Sequence, residues 1–406
     1  MPATPSSPIP AALTHLTHSD PREFQDSDAP HLLAYLAGVP DPRAARGCRH
    51  PLVAILGLAA AAVLAGARSI AAIAEWAAEA PQPIRAALGA RRDAPGHFAV
   101  PAEVTIRRTL SRLDPDALAG AIGAWLTDRD RAAVVARAGV RRAVAVDGKT
   151  LRGARAPTRG DGRPVHLLAA MEHATRAVLA QRQVGGAPEE VTAFAPLLAP
   201  LDLAEVVVTP MRSRPTRRPP SSWWPKSTRT TCSRSRPTQP TLLDRCQRLP
   251  WHRVPVLDRT RDRGHGRIEL RTLKAVSIHH FGFPHAAQIL QVTRKTRDLH
   301  DHPRRCTTVT VYAVTSLPFE QASPARLADL LRGHWAIEAL HHVRDVTFCE
   351  DSSQTRTGAA PSVMACLRNL AIGVLSRAGP VNLAAALRHH ARDSARPLAT
   401  LGISLG

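Results

Sequence analysis

Two segments of this sequence combine carboxylates and basic side chains in spacings that suit chemistry on a phosphate-bearing substrate. The first centres on Asp147, which follows an apolar run and precedes Gly148, Lys149 and Arg152. A carboxylate at the end of a buried strand is where an α/β sheet presents a metal ligand to such a substrate. An aspartate that merely opens a turn has the same local pattern, so both interpretations stay open on these residues alone.

The second segment is RGHWAIEALHHVRDVTFCEDSSQTR, residues 332–356. If residues 325–345 form a helix, Arg332 and Glu338 share a face, because side chains at multiples of three residues stack. Arg332 is then placed for a phosphate and Glu338 for a metal ion. An ion-paired amphipathic helix is the plain alternative.

The N-terminal part of the chain is predicted to be helical. Residues 1–30 are predicted to be a disordered tail, and residues 31–138 an all-helical domain that could bind DNA. The expected helices lie at 51–67, 69–80, 105–113 and onward from 115. The helix TIRRTLSRL at 105–113 is either a DNA-contacting helix or a solvated basic face.

The hydrophobic period changes to that of β-strands after residue 141. The expected elements are strands at 143–147, 166–172, 177–184 and 205–209, with a helix at 189–200 before the last strand. This order predicts the start of a ribonuclease-H-like α/β fold over 141–393. A mainly β insertion is expected over about 240–324, including a strand at 307–315, and helices over 323–393, with a C-terminal tail at 394–406.

The chain is strongly basic, with 54 Lys and Arg against 33 Asp and Glu and a net charge of +21. Arginine predominates, and its guanidinium binds phosphate oxygens in a bidentate manner, so a nucleic acid is the leading partner. An arginine surplus from GC-rich codon usage is the alternative. Charge alone does not identify an enzyme acting on DNA.

Other classes of protein are disfavoured by the sequence. The six cysteines are dispersed without a CxxC pair, and the adjacent His341 and His342 lack metal-site spacing, so reduced cytoplasmic thiols and no zinc site are expected. The N-terminal residues lack the pattern of a secretory signal. The apolar run at 51–67 could be a membrane-spanning helix, but a buried helix is favoured because the run is alanine-rich and short.

Several blocks of the sequence resemble, in the same order, the ISAs-type, H-repeat-associated transposases of the DDE superfamily. The catalytic-region blocks are VAVDGKTLRG at 144–153, HLLAAMEHATRAVLAQRQV at 166–184, GHGRIELRTLK at 264–274, RGHWAIE at 332–338 and DVTFCEDSSQTRTGAAPSVMACLRNLAIGVL at 345–375. VPDPRAARGCRHPL at 39–52 and GARSIAAIAEWA at 66–77 resemble the family's N-terminal domain. Long blocks in a shared order are far more specific than one short motif.

The resemblance implies an enzyme of an insertion sequence that cuts and joins DNA at the element's ends. Three carboxylates would hold two Mg²⁺ or Mn²⁺ ions, with Asp147 as the first acid and Glu338 as the third. The resemblance also implies contacts with DNA phosphates from Arg152, His265, Arg267 and Arg332. Double-stranded DNA, a homo-oligomeric active complex, a cytoplasmic location and no membrane partner are expected.

The chain departs from the family pattern between residues 210 and 238. After EVVVT the family has its second catalytic aspartate, whereas this chain has Pro210 and Met211. The stretch then holds eight basic residues and no acid, without helical or strand periodicity, and the family pattern resumes near Gln239. Two compensating frameshifts would preserve the length of the chain while changing its residues. If the codon of Pro210 ends in G, that G and the first two bases of the ATG codon of Met211 form GAT, an aspartate codon, in the neighbouring frame. A natural basic linker would look similar.

A second departure follows Glu338, where the chain is one residue shorter than the family pattern. A missing residue turns the rest of a helix by about 100°, so Asp345 and Glu350 are weaker candidates for the third acid.

Because the second catalytic aspartate is missing near Met211, little or no strand transfer is expected. A non-catalytic DNA-binding remnant, an inhibitor of intact transposase copies and a nuclease without strand transfer are the alternatives.

Overall fold

The computed structural model shows a mixed α/β protein, which confirms the predicted fold class at that level. It describes residues 31–46, 48–135, 141–155, 164–186, 189–210, 232–234, 240–264, 266–279, 281, 285–299, 306–377 and 382–405. The predicted disordered tail at 1–30 lies outside these residues. The chain forms two compact units, one containing residues 204–334 and the other containing residues 22–203 and 335–406.

The N-terminal region is mainly helical, as the apolar periodicity predicts. Its elements are α1 (Leu32–Leu36), α2 (Leu52–Leu64), α3 (Ile70–Glu79), α4 (Gln82–Ala87), β1 (Arg91–Ala94), β2 (His97–Ala99), α5 (Glu103–Arg112) and α6 (Pro115–Val135). The expectation of an all-helical region is wrong at β1 and β2, which form a short antiparallel hairpin. The four residues of β1 are all exposed, so no alternation of buried and exposed positions marks the strand in the sequence.

Helix α2 is the core of this region. Every residue of α2 except Val53 is buried, so the apolar run at 51–67 is a buried helix, as favoured above. At 13 residues it reaches about 20 Å, less than a bilayer core. Among the described residues, no helix is both long and apolar enough to cross a membrane.

Three antiparallel strands and a helix follow. They are β3 (Ala143–Arg155), β4 (Pro164–Glu172), β5 (Val178–Val184) and α7 (Glu190–Leu198), with β4 between β3 and β5. The predicted strand end at Asp147 is wrong, because β3 continues to Arg155 and Asp147 pairs with Ala169 in its middle. The glycine and polar residues after Asp147 do not have the residue pattern of a strand. The strand continues there because its backbone pairs with that of β4.

The unit at 204–334 is mainly β, and it includes the range of about 240–324 for which strands were predicted. Its elements before residue 320 are β6 (Val207–Pro210), β7 (Cys232–Arg234), α8 (Pro240–Gln247), β8 (Asp258–Gly264), β9 (Arg267–Ser277), β10 (Gln288–Asp298) and β11 (Cys306–Thr315). Strands β7, β11, β10, β9 and β8 form an antiparallel sheet in that order. Most of the anomalous stretch, including Met211, lies outside the described residues. The short β7 is a strand that its residues did not predict.

The C-terminal part is helical, as predicted. Its helices are α9 (Pro324–Val346), α10 (Ala360–Ser376), α11 (Leu383–Ala391) and α12 (Ala395–Thr400). Nearly all of α10 is buried, including Arg368 and Asn369. Helix α12 lies in the stretch predicted as a tail.

Five cysteines are free thiols, namely Cys48, Cys246, Cys306, Cys349 and Cys366. Burial raises the pKa of Cys246 to about 11 and that of Cys366 to about 12. A thiol with so high a pKa is neither a nucleophile nor a ready metal ligand.

Candidate active site

Strand β3 carries Asp147 and Lys149 on one face and Gly148 and Thr150 on the other, because neighbouring strand residues point to opposite sides. Asp147 is partly exposed, whereas Lys149 is only 8% exposed. The motif DGKT therefore separates a charged face from a face of small and polar groups.

The C-terminal half of α9 lies along the charged face of β3. Nδ1 of His341 is 3.7 Å from Oδ2 of Asp147. Nζ of Lys149 donates to both carboxylate oxygens of Asp345 at 2.7 Å. Four residues of a helix rise about 6 Å and two residues of a strand about 6.6 Å. Because these lengths nearly match, Asp147 lies beside His341 and Lys149 lies beside Asp345.

The ammonium group of Lys149 is surrounded by acids. Besides Asp345, it lies 4.0 Å from Oδ1 of Asp351, in the turn after α9. A buried ammonium needs such partners, because removing an unpaired charge from water costs several kcal/mol. Lys149 therefore attaches the strand of Asp147 to the helix and to the turn that follows it.

Glu338 lies one helical turn before His341, on the stripe of α9 that includes His341 and Asp345. Its side chain is exposed. The structure thus places the expected third acid on the helix stripe that meets Asp147, one turn nearer the N-terminus of α9. His342, next to His341, is exposed on a different side.

The two weaker candidates for the third acid have structural partners. Asp345 is held by Lys149, and Glu350 is 2% exposed between Arg344 and Arg368. Arg344 contacts Glu350 at 2.8 Å and Arg368 contacts it at 2.9 Å. Burial alone raises the pKa of Glu350, but the Arg344 and Arg368 guanidiniums outweigh it and lower the pKa below its ordinary value. Glu350 belongs to the core.

The other face of β3 rests on a chain of polar groups. Oγ1 of Thr150 is 2.8 Å from Nδ1 of His166, and Nε2 of His166 is 2.7 Å from Oε1 of Glu190. A Cβ at Gly148 would lie 2.1 Å from Oε1 of Glu190 and 2.7 Å from Nε2 of His166. Glycine at 148 therefore allows this buried pair to pack directly behind Asp147.

The basic residues predicted to contact DNA phosphates differ in availability. Arg152 on β3 is 82% exposed and lies 3.7 Å from Asp351. Arg267 on β9 is 2.9 Å from Glu269, and Arg332 on α9 is 3.6 Å from Asp329. His265 lies outside the described residues.

The basic helix α5 keeps one face for the core and one for solvent. Ile106, Thr109 and Leu110 are buried, while Arg107, Arg108 and Arg112 are exposed. Arg107 is paired with Glu103 within the same helix. Both interpretations of TIRRTLSRL, a solvated basic face and a DNA-contacting face, are compatible with this arrangement.

The fit of a magnesium ion depends on the carboxylates available. Asp147 and Glu338 suit the ion by donor type, since magnesium prefers oxygen ligands. Within the part of the chain that the structure describes, no group of three or more His, Cys, Asp or Glu side chains is arranged to hold a metal. Asp345 is engaged by Lys149. These residues do not make up the three-carboxylate site that the resemblance implies.

Two features of the site were missed by sequence reasoning. The Lys149 contact with Asp345 joins residues far apart in the chain, and the pair formed by His166 and Glu190 joins a strand to a later helix. The apolar setting of His166 was a usable signal, because a polar side chain within a buried strand needs a hydrogen-bond partner.

Comparison with known proteins identifies the N-terminal region. Residues 33–126 match the family described as DDE_Tnp_1-associated. The chain therefore carries a domain that marks DDE-type transposase families, and the resemblance found in the sequence is confirmed at that level.

One relative and one solved structure resemble further parts of the chain. A protein of Xanthobacter autotrophicus, described as an uncharacterized protein in the dhlA 3′ region, is 34% identical over 174 residues, 42% of this chain and 54% of the relative. This chain thus spans about half the length of that relative. A piggyBac transposase synaptic complex with hairpin DNA aligns over 98% of this chain and 84% of its own, with 10% identity and a TM-score of 0.35. Such a low score does not establish a shared fold.

Proposed function

We propose that this chain is a DNA transposase of a bacterial insertion sequence, of the ISAs type, by descent. The observation that carries the proposal is Asp147 on β3, facing a helix stripe that holds His341, Asp345 and Glu338. The DDE_Tnp_1-associated domain at 33–126 supports it independently. The reaction would be metal-dependent cleavage and joining of DNA at the element's ends, with Mg²⁺ or Mn²⁺.

The proposal includes a ribonuclease-H-like catalytic core. Three consecutive antiparallel strands, β3 to β5, are followed by α7 and then by the buried strand β6. This order along the chain supports such a core. The five-stranded sheet between β6 and α9 would be its insertion.

The chain as written is proposed to have little or no activity. Met211 directly follows β6, where the resemblance places the second acid, and a thioether is a poor ligand for a hard cation such as magnesium. Asp147 and Glu338 remain as two of the three expected carboxylates. Losing one ligand weakens a site that also depends on accurate geometry.

Sequencing the gene across codons 205–242 tests the origin of this loss. Two compensating frameshifts require an aspartate codon at position 211 in the neighbouring frame. A gene without that codon removes the frameshift explanation and leaves a natural basic linker.

A cleavage assay tests the function itself. The substrate is duplex DNA carrying the sequence that flanks the gene, with Mg²⁺ or Mn²⁺ present. The chain as written should give little or no cleavage, and a chain re-encoded in the alternative frame over 211–238 should cleave. Asp147→Asn in the re-encoded chain is the control and should abolish activity. Robust cleavage by the original chain, or cleavage that persists in Asp147→Asn, contradicts the proposal.

A second candidate is a non-catalytic DNA-binding remnant or an inhibitor of intact copies. The net charge of +21 together with Met211 favours it. It predicts that the original chain binds DNA without cutting it and lowers the activity of the re-encoded chain when the two are mixed. The mixing result also reports whether the two chains assemble, since a transposase is expected to act as a homo-oligomer. Joined products would separate a transposase from a simple nuclease.

A further inference from the structure

The five-stranded sheet has its charges sorted between its two faces. Directly paired residues of antiparallel strands lie on the same face, so the register assigns every side chain to one of them. In β8 to β11, one face, called here the basic face, contains Arg259, Arg261, Arg263, Lys274, Lys295 and Arg297. The opposite face of these strands contains Arg267, Arg271 and Arg294 with Asp258, Asp262, Glu269 and Asp298. All four acids are thus on the side away from the basic face.

The two faces also differ in ion pairing. On the opposite face, Arg271 lies 2.6 Å from Asp262, and Arg267 lies 2.9 Å from Glu269. The exposed cations of the basic face, on β8 and β10, make no ion pair with any residue that the structure describes. These are Arg259, Arg261, Arg263, Lys295 and Arg297.

Among the residues that the structure describes, one end of the basic face is covered and the other is exposed. Val276, Ile289, Val314 and Tyr312 lie on this face and pack in an apolar cluster with Trp251 and α8. At this covered end, Lys274 donates to the carbonyl oxygen of Trp251 at 2.6 Å. The open end is the one that carries the five exposed cations.

The open end presents two rows of cations with an apolar strip between them. Ile268 and Leu270 of β9 pair with Arg263 and Arg261 on β8 and with Arg297 and Lys295 on β10. Cations on one strand recur about every 6.6 Å, and the two rows lie about 9.5 Å apart. On β11, Thr308 and Thr310 lie beside the β10 row and add exposed hydroxyl donors.

We propose that this open end of the basic face binds the phosphodiester backbone of double-stranded DNA. The proposal rests on the proposed function for its choice of partner. Arginine and lysine supply charge-assisted hydrogen bonds to phosphate, and threonine hydroxyls are common additional donors. Because the described residues of β8 to β11 place no acid on this face, a phosphate meets no carboxylate from these strands. Contacts with backbone alone make the binding independent of sequence and strongly dependent on salt.

Two adjacent residues of β10 provide a matched test. Lys295 is on the basic face and Arg294 on the opposite face, so Lys295→Gln and Arg294→Gln remove the same charge from the same strand. Binding to a short duplex of mixed sequence is measured by fluorescence anisotropy, in EDTA, between about 50 and 200 mM salt. Lys295→Gln should reduce the slope of log Kobs against log[salt] by about 0.9, as for one lost phosphate contact. Arg294→Gln should leave the slope unchanged.

The variant Arg259→Gln, Arg261→Gln, Arg263→Gln tests the β8 row and should reduce the slope by about 2 to 3. Circular dichroism confirms that each variant is folded. The proposal is overturned if Lys295→Gln and Arg294→Gln change the slope equally, or if the triple variant does not change it. It is also overturned if an acidic polypeptide displaces the labelled duplex from the protein and unlabelled duplex DNA does not. Because EDTA excludes cleavage, these outcomes are independent of the catalytic proposal. If the re-encoded chain is active and Lys295→Gln binds DNA as the parent does, the DNA-binding surface is wrong and the proposed enzymatic function stands.

Discussion

Glu350 shows that a carboxylate within a block shared with transposases can serve the fold. It lies between two arginines, both essentially buried, so its charge is balanced where water is excluded. The sequence could not separate it from Glu338, because both carboxylates lie in blocks that resemble the transposase family and residue type does not record burial. Burial separates them, since one side chain is in the core and the other faces solvent.

Replacing Glu350 with Gln should destabilise the protein by about 3–5 kcal/mol, because Arg344 and Arg368 are left as buried charges without a counter-ion. Urea unfolding at neutral pH measures the change in the free energy of unfolding. Glu79→Gln, at an exposed position of α3, is the control and should stay within about 0.5 kcal/mol. A similar small change for both variants contradicts the structural role.

The same residue predicts a pH dependence of stability. The pKa of Glu350 is lowered in the folded state by Arg344 and Arg368, against the opposing effect of burial. The stabilisation from its ionised form is therefore fully present above the ordinary glutamate pKa of about 4.3 and is lost as pH falls towards the lower folded value. Unfolding free energies from neutral to acid pH should drop less steeply below about pH 4 in Glu350→Gln than in the parent chain. Parallel curves would contradict this.

Gly148 is predicted to be required for its lack of a side chain. Ala at 148 would place Cβ 2.1 Å from Oε1 of Glu190, so the buried pair with His166 must move. Overpacking of this kind costs about 1–3 kcal/mol. Gly120→Ala in α6 is the control: nothing lies within 4 Å of its Cβ, and alanine should stabilise the helix. Thermal unfolding of both variants measures the effect, and equal stabilities would exclude the steric explanation.

At the scale of elements, the site depends on β3 and α9 running in step. Strand spacing of two residues and helix spacing of four cover nearly the same length, which pairs Asp147 with His341 and Lys149 with Asp345. The period of each element was predictable from the sequence. Their mutual register was not, because it depends on contacts between residues nearly 200 positions apart, as in the Lys149 contact with Asp345.

The Lys149 contact with Asp345 should show measurable coupling between the two elements. A double-mutant cycle with Lys149→Met and Asp345→Asn should give a coupling energy within about 0.5–3 kcal/mol. The exposed pair of Arg107 and Glu103 within α5 is the control, with coupling of no more than about 0.5 kcal/mol. Equal coupling in the two cycles would show that burial adds nothing to the β3 contact.

Strands were predictable where burial alternates or is continuous, as in β4 and β5. The hairpin of β1 and β2 was missed because its side chains are mostly exposed, and the extension of β3 was missed because Gly148 and Thr150 break the apolar run. In both cases the strand is formed by backbone pairing with a neighbour, a feature that residue types do not record.

For the whole molecule, the charge of +21 predicts binding to DNA of any sequence. If 6–10 phosphates are contacted, affinity should fall by about 10³–10⁵ between 50 and 200 mM salt. Anisotropy with several unrelated duplexes measures this, and EDTA should leave the affinity unchanged. Weak salt dependence, or binding that requires magnesium, would show that the charge excess has another origin.

The sequence by itself determined most of the longer helices and strands, the resemblance to DDE transposases and the anomaly at Met211, because these depend on residue type and local spacing. Only the tertiary structure decided which acids have partners. Asp147 meets His341, Lys149 holds Asp345, and Glu350 is buried between arginines. The sorting of charge between the faces of the five-stranded sheet was decided there as well. A carboxylate's role depends on the charges and the water around it, and distant parts of the chain supply these only after folding.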